Sequence, residues 1–160
     1  MMQYTTQQGT QGICPPGWRL PTDEEWMVLE GASDSQYGIG DPEWDLYNEF
    51  RGYDAATNLK STSDWNGGGS GTNLFGFSGL PGGFRDSNGY FYNISDEGIW
   101  YTSTEYGDDA WGRSVWYDYP SVSRGFDLGK EVGLSVRCLS EPCMQLFYKM
   151  NSSKLFLVMT

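Results

Sequence analysis

The stretch "CPPGWRLPTDEEW", residues 14–26, places one cysteine, three prolines, two tryptophans, one arginine and three acids in thirteen positions. Its second half can be read locally. Thr22-Asp23-Glu24-Glu25 fits a capping box, in which the Thr22 hydroxyl accepts from the amide of residue 25 and the Glu25 carboxylate accepts from the amide of Thr22. Asp23 and Glu24 then occupy a first turn, where negative charge suits the helix dipole. Pro21 and Trp26 stand at the positions of a hydrophobic staple. The spacing predicts a helix from about residue 23 to 30 that buries Trp26 and Leu29 and stops at Gly31 as a C-terminal cap. The acids here are explained by capping, without catalysis.

Working outward, the 160-residue chain is long enough for one domain with a real core. It holds 22 glycines, 7 tryptophans and 11 tyrosines, which describes a loop-rich domain with an aromatic core. The net charge of −11 argues against nucleic acid, which is bound through clustered Lys and Arg, and against an anionic membrane surface. It suits cations or neutral ligands such as sugars. The absence of histidine removes the usual zinc-enzyme ligand sets, Ser-His-Asp triads and Cys-His dyads. Met1 to Gly12 lacks the pattern of a signal peptide, and no window approaches the roughly 20 apolar residues of a membrane span. The three cysteines are Cys14, Cys138 and Cys143, so one is left free or intermolecular; the composition favours an oxidising compartment.

Asp41-Pro42 reads as an N-cap followed by proline at the first helical position, opening a second helix that ends at Gly52 and places Trp44, Tyr47 and Arg51 on one face. A short segment surrounds Leu59-Lys60-Ser61. Glycine dominates residues 65–89, but Leu74, Phe75, Phe77, Leu80 and Phe84 interrupt it, which predicts a long ordered loop packed on the core rather than a linker. Beyond residue 90 short strands follow. Residues 114–119 alternate with Val115, Tyr117 and Tyr119 on one face, 122–128 form another strand, and 132–138 alternate with Cys138 pointing inward. Helices first and antiparallel strands later predict an α+β domain.

Five ordered motifs, "GICPPGWRLPTDEEW", "LKSTSDWN", "GTNLFGFSGLPGGFR", "WYTSTEY" and "GLSVRC", closely resemble the Fibrobacter succinogenes major paralogous (FISUMP) domain across about residues 12–139. The resemblance implies a C-type-lectin-like fold with two early helices, a twisted antiparallel sheet and a long Gly-rich loop region. It also implies an exported or cell-surface protein of Bacteroidetes-type bacteria, and no catalytic residue to carry over. The division expected is residues 1–139 as the domain and 140–160 as a C-terminal extension. "RLPTDEEW" is also similar to a segment of formylglycine-generating enzymes of the same wider fold group, but the cysteine pair that binds copper in those enzymes has no counterpart here. Cys14 and Cys138 instead sit where such folds close with a disulfide, with Cys138–Cys143 as the competing pairing. Arg19 is then expected to bond carboxylates or carbonyls of the protein. Relatives carry a longer N-terminal segment with a first strand, so the sheet is expected to lack one strand there. The apolar tail is expected to form two β-strands over residues 145–159, pairing with the domain's own sheet or with a neighbouring chain.

Ten aromatic residues fall between positions 90 and 119, more than a domain of this size buries easily. Trp100 and Trp111 read as core, while Tyr106, Trp116, Tyr117 and Tyr119 read as an exposed binding face. Asp108, Asp109 and Asp118 lie among them, with Arg113 and Arg124 as further anchors. Aromatic platforms beside carboxylates suit sugars. No cofactor is expected: the sugar-binding calcium signatures of C-type lectins are absent, and Asp86-Ser87-Asn88-Gly89 reads as well as a plain turn as an oxygen-ligand loop. The chain is expected to be a non-enzymatic module binding a glycan or a protein. The alternatives are a subunit of a surface appendage, or a receptor-binding protein varied by a retroelement at positions such as Gly107, Tyr117, Ser121 and Ser123.

Overall fold

The computed structural model describes residues 8–47, 49–125 and 129–140. In chain order the elements are β1 (Trp18–Arg19), α1 (Asp23–Ser33), a 3-10 turn (Pro42–Asp45), β2 (Glu49–Arg51), α2 (Ala55–Leu59), a second 3-10 turn (Asn66–Gly68), β3 (Phe84–Arg85), β4 (Phe91–Tyr92), β5 (Glu97–Tyr106), β6 (Asp109–Trp116), β7 (Val122–Gly125) and β8 (Leu139–Ser140). This is an α+β arrangement. A four-stranded antiparallel sheet runs β2-β7-β6-β5, and two two-stranded ribbons, β1-β8 and β3-β4, flank it. None of the described helices is long and apolar enough to cross a membrane.

Helix α1 begins as its sequence dictates, with both bonds of the capping box present. Glu25 does two things: its carboxylate caps Thr22 and also receives both guanidinium arms of Arg19, at 2.7 and 2.5 Å. The opening stretch is therefore a clamp, with Arg19 bonded to the protein itself. The helix passes through Gly31 and ends at Ser33, because Gly31 serves close packing rather than capping: a Cβ there would lie 2.7 Å from the Ile39 Cα. Asp34 takes over the C-terminal end. Its carboxylate accepts from the amides of Gln36, Tyr37, Tyr53, Asp54 and Ala55, which ties the following loop to the start of α2.

The second helix expected over residues 41–51 is not there. Asp41 caps and Pro42 opens a turn as read, but the turn ends at Asp45 and β2 follows. The reason lies in the carbonyls: those of Trp44 and Leu46 accept from Arg51, and that of Asp45 accepts from Arg124, so they are not free for helical amides. In the Gly-rich region Phe77 alone of the five expected residues is buried; Leu74 and Leu80 are exposed, and Phe75 and Phe84 are half-buried. The continuous strand expected over 132–138 is also absent. Gly133 bridges to Arg85 and Ser135 to Trp100, so the segment divides its backbone bonds between β3 and β5. Cys138 is buried as expected and bonds Cys14, with Cα atoms 5.9 Å apart. The two strands of 145–159 and the end of the 122–128 strand fall outside the described residues.

The core lies between α1, α2 and one face of the sheet. Trp26, Leu29, Trp44, Leu59, Trp65, Phe77, Trp100, Val115 and Val122 pack together, with Trp26 meeting Phe77 and Trp100 at ring-centroid distances of 5.8 and 5.9 Å.

Candidate functional site

Cross-strand partners share a face of the sheet, so the register, with the alternation along each strand, sorts the paired residues of β2, β5, β6 and β7. The inner face carries Gly98, Trp100, Trp111, Arg113, Val115, Val122, Arg124 and Arg51. Arg113 and Arg124 are therefore buried under the sheet and are not on the surface as the sequence reading expected. Arg113 is 1 % exposed and bonds Glu30 at 2.6 Å and Asp23 at 2.7 Å. Arg124 bonds Asp23 at 2.5 Å and lies over the Trp111 ring at 4.0 Å. Arg51 completes the network through Glu30. Burial alone would raise the Asp23 carboxyl, but the guanidinium groups of Arg113 and Arg124 hold it below its ordinary value. Burial also lowers Arg51 to about 10, partly opposed by Glu30, which leaves it charged at neutral pH.

The remaining expected site residues separate to the two ends of β6, about 24 Å apart at the rise of an extended strand. Tyr106, Asp108 and Asp109 form the β5–β6 turn, where Tyr106 packs on Trp111 at 4.8 Å. Trp116, Tyr117, Asp118 and Tyr119 form the opposite end. Tyr117 is partly buried against the core and is not on the surface as expected. Gly69 lies so close beneath it that a Cβ would meet the Tyr117 carbonyl at 2.1 Å. Trp116 is half-buried, and Tyr119 is 44 % exposed.

The outer face unites the second of these clusters with residues the sequence reading did not select. One row runs across it in register: Phe50, Ser123, Ser114 and Ile99. A second row joins Trp116 to Glu97, and a third joins Gly125, Gly112 and Tyr101. At one edge the Tyr119 ring stacks on Phe50, with centroids 4.2 Å apart and planes 8° from parallel. Toward β5, a partly open cavity of about 240 Å³ is bounded by Ile99, Tyr101, Gly112, Ser114, Ser123 and Glu97, with Phe84 and Leu134 as walls. The small residues make the room. Ala110, Gly112 and Ser114 alternate with Trp111, Arg113 and Val115, and Ser123 and Gly125 alternate with Val122 and Arg124, so one face is filled and the other hollow. That small–large alternation in "DAWGRSVW" and "VSRG" was the available signal.

The turn carrying Tyr119 is held from beneath. The buried Lys60 ammonium donates to the carbonyls of Trp116, Tyr117 and Tyr119 at 3.0, 3.1 and 3.2 Å, and the Ala56 and Thr57 amides of α2 donate to the Pro120 carbonyl. Burial lowers the Lys60 ammonium from its ordinary value, while the Asp118 charge opposes the shift. At the cavity, Glu97 is 5 % exposed and accepts from the Asn93 amide at 2.9 Å and from the Ser114 hydroxyl. Burial raises its carboxyl above the ordinary value, and these two bonds only partly oppose that.

Among the described residues no group of three or more Cys, Asp and Glu side chains is placed to hold a metal ion. In the Asp86–Gly89 turn, the Asp86 carboxylate accepts from the Tyr90 amide and its carbonyl from the Gly89 amide, as in a plain turn. Neither a curated protein nor a solved structure matches the chain. Residues 2–140, a longer span than the motif-bearing stretch, match the Fibrobacter succinogenes major domain, and the chain belongs to that family.

Proposed function

We propose that the chain is a non-enzymatic, extracellular or cell-surface binding module of C-type-lectin-like fold, which takes a glycan through the outer face of its four-stranded sheet. The observation that carries this reading is the Phe50–Tyr119 stack, two exposed rings lying flat on one another, with Phe50 opposite Ser123, a hydroxyl that lines the outer-face cavity. Rings at a hydroxyl-bearing cleft suit the apolar face and the polar edge of a sugar at once. The Lys60 and α2 contacts hold the Tyr119 turn in place before any ligand arrives, which lowers the ordering cost of binding. The Cys14–Cys138 disulfide fits an oxidising compartment.

A glycan array, followed by calorimetric titration of any sugar retained, tests the reading. Tyr119→Ala is expected to weaken that binding by 1 kcal/mol or more, on the order of an aromatic anchor, and to leave thermal stability nearly unchanged. Trp26, only 2 % exposed, is the control: Trp26→Ala is expected to cost about 3–5 kcal/mol of stability as a core truncation. Retained sugar binding in a folded Tyr119→Ala protein would move the site elsewhere.

A further inference from the structure

We propose that the outer-face cavity binds a primary ammonium group carried on a short apolar stem, with Glu97 as its counter-ion. This deepens the binding reading of the same face but stands on different residues from the Phe50–Tyr119 stack. Three buried acids occur among the described residues: Asp23, Glu30 and Glu97. Asp23 and Glu30 each meet two arginines. Glu97 meets only neutral donors, the Asn93 amide and the Ser114 hydroxyl. A carboxylate withdrawn from water is ordinarily matched by a cation; among the described residues none bonds Glu97, while the room for one is present.

Three basic side chains of the neighbouring elements are engaged elsewhere, and a fourth, Arg85 beside Phe84, is exposed. The Arg113 guanidinium lies on the inner face with Glu30 and Asp23, the Lys60 ammonium sits under the Tyr119 turn, and Arg137 donates to the Phe77 carbonyl. The cavity walls complement the rest of such a ligand. Ile99, Phe84 and Leu134 offer apolar surface to a methylene stem, and Ser123 offers a hydroxyl to a second ammonium proton. The chain's net charge of −11 draws a cation toward the protein at long range. A free alkylamine and the side chain of a lysine share this chemistry.

The test is a titration of the full-length protein, followed by amide chemical shifts, with n-pentylamine and with its neutral isostere 1-pentanol. The expected result is saturable binding of pentylamine that perturbs the amides of β5 and β6, with pentanol weaker by about tenfold or more. Glu97→Gln, which keeps an acceptor for Asn93, should remove the preference for the amine. Ser123→Leu, which fills the cavity without altering the carboxyl, should abolish binding of both and serves also if the Glu97 variant does not fold. Nα-acetyl-lysine methylamide distinguishes the sources: affinity equal to pentylamine assigns the site to a lysine side chain, and exclusion assigns it to a free amine. Equal binding of amine and alcohol, or an amine preference that survives Glu97→Gln, overturns the inference. Loss of amine binding alongside intact, Tyr119-dependent glycan binding would overturn this inference and leave the glycan reading standing.

Discussion

Glu97 and Asp23 are both buried carboxyls, yet they contribute to stability in opposite senses. The carboxyl of Asp23 lies below its ordinary 3.8 because Arg113 and Arg124 outweigh the burial that would raise it. Its stabilisation is complete above the unfolded value and is lost as pH falls through the folded one. Glu97 lies above its ordinary 4.5 because burial dominates, so its contribution is greatest below 4.5 and is lost as pH rises through the folded value. At neutral pH Glu97 is therefore a cost to the fold. Thermal melts from pH 3 to 7 check both signs. Glu97→Gln should raise the melting temperature at pH 7, with the gain shrinking toward pH 4. Asp23→Asn should lower it at pH 7 and flatten the acid limb below 3.8. A Glu97→Gln protein less stable at pH 7 than its parent would mean that Ser114 and Asn93 hold the carboxylate better than burial penalises it. Neither residue was legible as such in the sequence, since an acid's partner lies across the fold: Asp23 meets Arg124 over a separation of 101 residues.

The elements that could be read from the sequence are those whose deciding contacts are local. The start of α1 depends on Thr22 and Glu25, three positions apart, and it was placed correctly. Residues 42–51 carry an equally good start signal, but Arg51 and Arg124 claim the carbonyls that a helix needs, and those claims depend on tertiary packing. The candidate site divides in the same way. Aromatic density pointed to Trp116 and Tyr119, whereas Arg113 and Arg124 were misread as surface anchors because a fully buried arginine is rare without a carboxylate that the sequence cannot place beside it. Phe50, on a strand read as a helix, could not be assigned to the outer face at all. The β2 geometry makes a direct prediction. Arg51→Ala leaves Glu30 short of a buried partner and should cost about 3–5 kcal/mol in denaturant unfolding. Arg51→Lys should recover little of it, because an ammonium lacks the fork that reaches Glu30 and the Trp44 and Leu46 carbonyls together. Full rescue by lysine would show that charge alone holds β2 in place.

At the scale of the whole molecule, the chain is closed where its described ends meet. β1 pairs with β8, Trp18 opposite Ser140 and Arg19 opposite Leu139, and the disulfide joins the residues just ahead of the two strands across a separation of 124 positions. Two-residue strands hold few backbone bonds, so the covalent link carries the closure. In the chain-entropy treatment a loop of this length stabilises by about 5 kcal/mol, an upper figure for the whole effect. For a chain of this size that corresponds to a fall in melting temperature of about 10–20 °C on reduction. The outer face should feel the loss less than the ribbon, because the four-stranded sheet and the Lys60 contacts do not pass through β1 or β8. The expected results are a lower melting point for Cys14→Ser and for Cys138→Ser, equal to that of the reduced parent, and an unchanged one for Cys143→Ser. Thiol titration of the unfolded, non-reduced protein should find one reactive sulfhydryl in the parent and none in Cys143→Ser. If Cys143→Ser were destabilised as much as Cys138→Ser while Cys14→Ser was not, the short Cys138–Cys143 loop would be the bond that forms, and the closure of β1 on β8 would rest on packing of Leu139, which is 1 % exposed, rather than on sulfur.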